Sequence, residues 1–111
     1  MMLVFFDLDE LLETSNEQIF SNSVLLSQNY PNPVTSQKYL VTIPYALPTS
    51  SDVDITVYDS QGNEVCHLAH RFEGAGDHAV KFDTRTLSQG VYYYRLNAGG
   101  QSLTKKMAIV K

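Results

Sequence analysis

GVYYYRLNAGGQSLTKKMAIVK, residues 90–111, is the stretch of highest β-propensity in the chain. In an extended conformation Tyr92, Tyr94 and Leu96 lie on one face, and the residues between them lie on the other. The sequence Asn-Ala-Gly-Gly at residues 97–100 tolerates the positive φ angles that a chain reversal needs. Apolar residues alternate again in the returning run. The stretch therefore predicts an antiparallel β-hairpin that ends at the last residue of the sequence.

Five shorter extended runs precede this hairpin, and turn signals separate them. The clearest is residues 53–58, in which Val53, Ile55 and Val57 alternate with other residues as in a half-buried strand. Gly62 marks the reversal after it. The other runs are residues 24–26, 39–45, 64–72 and 77–82. Together they predict an all-β fold, a seven-stranded immunoglobulin-like antiparallel β-sandwich with a short N-terminal leader.

Two details of the predicted sandwich concern proline. Residues 27–33, SQNYPNP, contain two prolines and two asparagines, and they predict a rigid corner with Tyr30 packed on the core. Pro44 cannot donate a hydrogen bond to a neighbouring strand. We therefore expect its end of the strand to lie at a sheet edge.

Composition narrows the class of protein. The chain has 111 residues, enough for one domain with a modest core, and its net charge is −4 with a pI of about 5.1. This balance does not support nucleic-acid binding, which needs a concentrated basic surface. Cys66 is the single cysteine, so no disulfide is expected within the chain. No apolar run reaches the roughly 18 residues of a membrane-spanning helix, and the N-terminus lacks the basic segment of a signal peptide.

Residues 1–23 differ in pattern from the rest of the chain. Apolar residues at roughly helical spacing alternate with acidic ones, which favours a short amphipathic helix followed by a polar linker at residues 14–23. A flexible leader that orders only against a partner fits this pattern equally well. The segment VFFDLD, residues 4–9, resembles the nucleophile motif of haloacid-dehalogenase-type phosphatases. Such an enzyme needs a parallel α/β sheet, which nothing downstream predicts, so this interpretation is disfavoured.

Three histidines, His67, His70 and His78, fall on predicted strands. His67 and His70 are an odd number of residues apart, so a regular strand places them on opposite faces and does not make them a metal pair. A zinc site that includes Asp77 or Glu73 is the alternative, but solvated strand histidines are more common.

The other reactive side chains also lack a catalytic arrangement. Cys66 directly precedes His67, so the two point to opposite faces and form no dyad. Asp52 and Asp54 share a face and, with Asp59, offer a calcium site, although surface solvation is the simpler interpretation. The sequence therefore predicts a non-catalytic domain without a metal or cofactor.

Six short blocks follow one another in an order typical of one family. They are residues 26–33 (LSQNYPNP), 43–48 (IPYALP), 57–62 (VYDSQG), 74–78 (GAGDH), 87–92 (LSQGVY) and 106–111 (KMAIVK). With these blocks, residues 24–111 resemble the type A C-terminal sorting domain of type IX secretion cargo from Bacteroidota bacteria. Each block alone is weak, but six in the right order are hard to obtain otherwise. We therefore expect residues 24–111 to be a β-sandwich sorting domain and residues 1–23 to be the leader or linker at a cargo-domain junction.

The resemblance implies a secreted, non-catalytic signal. In this family the domain follows an N-terminal cargo domain, passes through the periplasm, and is recognised by the outer-membrane translocon and its shuttle proteins. A sortase-like cysteine peptidase at the cell surface then removes the domain, and the expected cut lies within residues 14–23. The family's final motifs map onto Gly90, Tyr92, Lys106 and Lys111, which are the candidate residues for translocon recognition.

The last predicted strand offers a physical basis for such recognition. An exposed strand edge with Lys106 near its start and Lys111 at its end allows a receptor to add a strand by backbone pairing. Tyr92 and the lysines also have expected structural roles. Tyr92 is expected to pack in the core, and lysines on an edge strand protect that edge against aggregation. The same edge gives the isolated domain a route to edge-to-edge dimerisation.

An immunoglobulin-like binding or structural module, either carbohydrate-binding or adhesive, is the alternative function. A carbohydrate-binding module needs a flat row of exposed aromatic side chains, and Tyr39, Tyr58 and Tyr93 are the candidates for it. The exposure and alignment of these three tyrosines separate this interpretation from a sorting signal.

Overall fold

The computed structural model describes residues 23–111, which form seven β-strands. The strands are β1 (Leu25–Leu26), β2 (Leu40–Leu47), β3 (Ser51–Asp59), β4 (Glu64–Glu73), β5 (Gly76–Asp83), β6 (Gly90–Ala98) and β7 (Gln101–Ile109). None of the described residues belongs to a helix capable of crossing a membrane. The N-terminal helix, the phosphatase-like motif and all but the end of the linker, which the sequence predicts within residues 1–23, lie outside the described residues.

Two antiparallel sheets build the domain. One has the strand order β1-β2-β5, and the other has the order β4-β3-β6-β7. The two inner faces share one hydrophobic core, to which Ile43 of β2, Ile55 of β3 and Leu96 of β6 contribute fully buried side chains. The predicted all-β fold, an immunoglobulin-like antiparallel sandwich of seven strands, is thereby confirmed.

The hairpin of β6 and β7 follows the alternation that its sequence predicts. Tyr92, Tyr94 and Leu96 are buried, and the β6 residues between them are exposed. The turn consists of Gly99 and Gly100, at φ angles of +56° and +77°. Positive φ at both central residues matches the twist of the flanking strands in a two-residue hairpin loop. The turn and the two strands therefore favour the same register.

Pro44 lies in β2, which is the middle strand of the three-stranded sheet, so its expected position at a sheet edge is wrong. The Pro44 carbonyl accepts a hydrogen bond from the backbone N–H of Ser27 at 3.0 Å. In an antiparallel strand the N–H and C=O of one residue point to the same side, so the missing donor faces β1. Because β1 pairs with β2 only at Tyr45 and Ala46, the regular ladder has already ended where Pro44 lies.

The corner at residues 27–33 buries Asn29 and exposes Tyr30, so the predicted packing of Tyr30 on the core is wrong. Tyr30 is 59% exposed. Its backbone forms an isolated antiparallel bridge with Thr42, with both hydrogen bonds at 2.9–3.0 Å. Successive residues of an extended segment point in opposite directions, so the inward position belongs to Asn29.

The hydroxyl of Tyr94 joins this corner to β6. It accepts a hydrogen bond from the backbone N–H of Asn29 and donates one to the Ser27 carbonyl, both at 2.8 Å. Desolvation by the surrounding core raises the pKa of Tyr94 to about 12. A side chain in the middle of the last hairpin therefore satisfies two backbone groups of the corner.

Candidate functional site

The four residues predicted for recognition lie at one end of the β6–β7 hairpin, opposite its turn. Gly90 and Tyr92 are at the start of β6, Lys106 is near the end of β7, and Lys111 follows that strand. Antiparallel pairing places the start of β6 beside the end of β7. The fold therefore brings the four residues together, although they come from two segments of the chain.

Tyr92 points into the core and is only 6% exposed. Its hydroxyl donates a hydrogen bond to the Ser88 carbonyl at 2.8 Å. The side chain thus holds the loop that precedes β6 against the sandwich. The Tyr92 ring is therefore not part of the domain surface, and its contacts position the surrounding backbone.

Gly90 has a φ angle of +155°, which residues with a side chain rarely adopt. A Cβ atom built at this position has no heavy atom within 4 Å outside its chain neighbours. The need for glycine is therefore conformational and does not arise from a close contact. Like Tyr92, Gly90 shapes the entry into β6.

Lys111 is attached to the loop between β5 and β6. Its backbone N–H donates to Gln89 Oε1 at 2.9 Å, and its Nζ donates to the Arg85 carbonyl at 3.3 Å. The Arg85 guanidinium pairs with Asp83 at 2.6 Å and lies 4.4 Å from the centre of the Tyr39 ring. The hydrogen bonds from Arg85 hold the pKa of Asp83 below its usual value. Two cationic side chains, Lys111 and Arg85, therefore mark this end of the domain.

The outward-facing side chains at this end form a mixed apolar and cationic surface, which we call the outer hairpin face. It consists of Val91, Tyr93, Lys106 and Val110. The three uncharged residues are 37–50% exposed, and Lys106 stands opposite Tyr93 in the strand pairing. The family motif does not include Val91, Tyr93 or Val110, and the sequence singled out Tyr93 only as a candidate for carbohydrate binding. The alternation within β6 and β7 was the signal that places them outward.

The edge of β7 is largely covered beside Lys106, which corrects the expectation of an open edge there. Val34 forms a parallel bridge to β7, and its N–H and C=O bond Ala108 and Val110, each at 2.8 Å. Gln28 Nε2 also donates to the Lys106 carbonyl at 2.7 Å. Within residues 23–111, no strand pairs with the outer side of β7 nearer the turn. On β7 itself, the backbone groups left for pairing with an added strand are therefore those of the turn-proximal half.

The three tyrosines proposed for a carbohydrate platform do not form one row. Tyr58 and Tyr93 are cross-strand neighbours in the four-stranded sheet, whereas Tyr39 directly precedes β2 in the other sheet. The Arg95 guanidinium lies 5.0 Å from the centre of the Tyr58 ring and partly covers it. The aromatic surface needed by the alternative function is absent from this set of residues.

Glu73 takes part in a hydrogen-bonded cluster that joins the two sheets, and its Oε1 lies 3.6 Å from His78 Nδ1. Its carboxylate accepts hydrogen bonds from the Tyr45 hydroxyl of β2 and from Arg71 Nε, the latter at 2.5 Å. The His78 ring stacks on Tyr45 at a centroid distance of 5.5 Å. Burial and the nearby Glu73 carboxylate raise the pKa of Tyr45 to about 12. Burial opposes ionisation of Glu73, but the hydrogen bonds from Tyr45 and Arg71 hold its pKa below the usual value.

Asp59 is used within its own turn, and among residues 23–111 it does not cluster with Asp52 and Asp54 around one point. Its Oδ1 accepts hydrogen bonds from the backbone N–H groups of Gln61 and Asn63, both at 2.9 Å. The bond from Asn63 has the larger effect in lowering the pKa of Asp59. The carboxylate therefore stabilises the β3–β4 turn.

A β-bulge in β4 overturns the prediction that His67 and His70 lie on opposite faces. The register of β4 against β3 slips at Leu68, which has no partner in β3. This extra residue shifts the alternation by one position. Both histidines consequently lie on the outer face of the sheet beside Asp54.

Cys66 is half-buried, and burial together with Glu64 raises the pKa of its thiol, so the reactive thiolate is disfavoured.

Among solved structures, the fold is similar to part of PorZ from Porphyromonas gingivalis, described as an essential bacterial surface component of the type-IX secretion system. The TM-score is 0.55 and the sequence identity is 20%, a likeness that establishes the fold alone. The match covers 76% of this chain but only 11% of PorZ, so the chain spans a small part of that protein's length. No curated protein matches the chain.

The family comparison covers most of the sandwich. Residues 28–110 match the family described as the secretion system C-terminal sorting domain. This range contains all but the first residue of the corner at residues 27–33, the strands β2 to β7, and Gly90, Tyr92 and Lys106. With the fold and the hairpin in agreement, the chain belongs to the type IX secretion system C-terminal sorting domain family.

Proposed function

We propose that this domain is the non-catalytic C-terminal signal that directs an N-terminally attached cargo protein through the type IX outer-membrane translocon. The family match over residues 28–110 is the observation that carries the proposal. Such a signal implies export toward the outer membrane or cell surface, with passage through the periplasm. Residues 24–111 form the sorting domain, and residues 1–23 join it to the cargo.

The outer hairpin face and the neighbouring Lys111 are the surface that we assign to receptor contact. Exposed apolar and aromatic side chains lie there beside two lysines, a combination that provides contact area and electrostatic attraction for an acidic partner. Tyr92 is buried and Gly90 offers no side chain. Of the four candidate residues, Lys106 and Lys111 therefore contact the translocon or its shuttle, while Gly90 and Tyr92 maintain the shape that they need.

Charge reversal at the two lysines tests this assignment. A reporter carrying an N-terminal signal peptide and followed by residues 14–111 is expected to reach the surface of a host with this secretion system. Lys106→Glu combined with Lys111→Glu will lower the surface-exposed reporter by about tenfold, equivalent to roughly 1.4 kcal/mol of receptor binding. Protease accessibility of the reporter on intact cells measures the effect.

Lys81→Glu is the matched control, because Lys81 is exposed on β5 in the other sheet. This variant is expected to export the reporter as the parent does. The thermal unfolding of each purified domain separates a binding defect from a folding defect. Equal surface exposure of the reporter with the double lysine variant would remove the assigned contact surface. Equal exposure after deletion of residues 90–111 would contradict the sorting function itself.

Removal of the domain is the second part of the proposal. A sortase-like cysteine peptidase cuts within residues 14–23, on the N-terminal side of β1. In the same reporter strain, mass spectrometry of the released fragment is expected to find its first residue between positions 15 and 24. A fragment that begins inside the sandwich, or a reporter that keeps the whole domain at the surface, would contradict this cleavage.

A further inference from the structure

We propose that Asp54, His67 and His70 form a binding site for a divalent first-row transition metal ion, with zinc as the reference ion. The three side chains come from the adjacent strands β3 and β4 and lie on the outer face of the four-stranded sheet. One ligand atom from each lies within 4.8 Å of the other two. This site is separate from the outer hairpin face and does not depend on the sorting function.

The backbone explains why these three residues meet. Asp54 stands directly opposite His70 in the pairing of β3 with β4, so their side chains share the outer face. The bulge at Leu68 then turns His67 to the same face, where its Nε2 lies 2.5 Å from Asp54 Oδ1. The two imidazole rings are 6.0 Å apart between centroids and are inclined by 54°. The strand register thus fixes three ligands around one point.

The distances fit a small metal ion. Zinc binds nitrogen and carboxylate oxygen at about 2.0–2.2 Å, so ligand atoms at tetrahedral angles lie roughly 3.3–3.6 Å from one another. The described separations of up to 4.8 Å reach this value by side-chain rotation, without movement of the strands. In the metal-bound state the ion replaces the hydrogen bond between His67 and Asp54.

The donor set selects the class of ion. Two imidazole nitrogens and one carboxylate oxygen suit zinc and its neighbours copper and nickel, whereas calcium and magnesium prefer sites made of oxygen alone. Three protein ligands leave at least one coordination position for water or an external ligand. That position is accessible, because a shallow groove of about 420 Å³ at the hairpin turn is lined by Asp54 and His70, together with Asp52 and Asn97.

A bound ion also has a structural effect. β4 is an edge strand of its sheet, and the three ligands connect it to the central strand β3. Because the unfolded chain does not hold the ligands together, binding to the folded state raises the unfolding temperature. At saturating zinc we expect a rise of at least about 4 °C for this domain.

Titration of the 111-residue chain with zinc chloride tests the site. Calorimetry is expected to give one ion per chain, and His67→Ala and His70→Ala will each weaken binding by at least about 100-fold, beyond the 10–100-fold typical of an outer-shell partner. His78→Ala removes a histidine outside the cluster, and Cys66→Ser removes the only thiol. Both controls will retain the parent's affinity.

Circular dichroism of each variant verifies that it folds, and the unfolding temperature provides a second measurement. Zinc will raise the unfolding temperature of the parent, of His78→Ala and of Cys66→Ser, but not of the double variant with alanine at both His67 and His70. Equal zinc affinity in the parent and in that double variant would overturn the proposal. Undetectable binding to the parent at millimolar zinc would overturn it as well.

Discussion

Tyr94→Ala will lower the free energy of unfolding by about 4 kcal/mol. Tyr94 is the largest fully buried side chain described in the domain, and its ring lies where both sheets meet. Its removal leaves a cavity and also deprives Asn29 and Ser27 of their hydrogen-bond partner. Small domains are stable by only about 5–15 kcal/mol, so this one change removes a large part of the total. Urea denaturation followed by circular dichroism measures it.

Tyr94→Phe separates the two contributions. It preserves the ring and removes the hydroxyl, which leaves a buried backbone N–H without its acceptor, so we expect a loss of about 2 kcal/mol. Tyr93 is the matched control, because it is adjacent in sequence but points outward from β6. Tyr93→Ala should cost less than about 1 kcal/mol. Similar losses for Tyr93→Ala and Tyr94→Ala would contradict the described orientation of β6.

The domain will lose stability between pH 10 and pH 12 through Tyr45 and Tyr94. In the folded state burial raises the pKa of each to about 12, against about 10 in the unfolded chain. When the pKa of a group is higher in the folded state than in the unfolded state, its contribution to the free energy of unfolding is complete below the unfolded-state pKa. That contribution is lost as the pH rises from the unfolded-state pKa to the folded-state pKa. A shift of this size corresponds to about 2–3 kcal/mol for each tyrosine.

Comparison of single variants isolates this effect from the titration of lysines. The free energy of unfolding in urea is measured at pH 9, 10 and 11 for the parent, Tyr45→Phe and Tyr94→Phe. Each phenylalanine variant will be less stable than the parent at pH 9, and the difference will shrink as pH rises. Parallel pH profiles for the parent and both core variants would show that neither hydroxyl is buried as described.

The elements that local sequence predicts well are those whose own residues decide their conformation. Val53, Ile55 and Val57 alternate because one face of β3 is buried, and Gly99 and Gly100 supply the φ angles of their turn. Such signals act within a few residues. They were sufficient for the strand count, the hairpin and the class of fold.

The errors at Pro44 and at the two histidines share a different physical origin, because both depended on a neighbouring strand. The position of Pro44 in a middle strand follows from which strands pair with β2. His67 and His70 share a face only because the register against β3 slips at Leu68. Alternation along a single strand contains no information on either point, so the metal cluster was missed although its residues were noticed.

For the candidate sorting residues, too, the local sequence predicts some features, and contacts between distant segments decide others. The motif located Gly90, Tyr92, Lys106 and Lys111 but did not say which side chains reach the surface. Alternation already indicated that Tyr92 packs inward, and the fold agrees. The covering of β7 by Val34 arises from a parallel contact between distant segments, which no local pattern predicts.

Hydrogen bonds between the corner at residues 27–33 and the β6–β7 hairpin couple the two ends of the domain. The Tyr94 hydroxyl bonds residues that are 65 and 67 positions away in sequence, and the side chain of Gln28 reaches a carbonyl 78 positions away. Contacts at such separation close long loops at a cost in conformational entropy, which the packing of the intervening strands must offset. Neither end therefore acquires its final shape alone. A surface displayed on this hairpin reports that the whole intervening chain has folded.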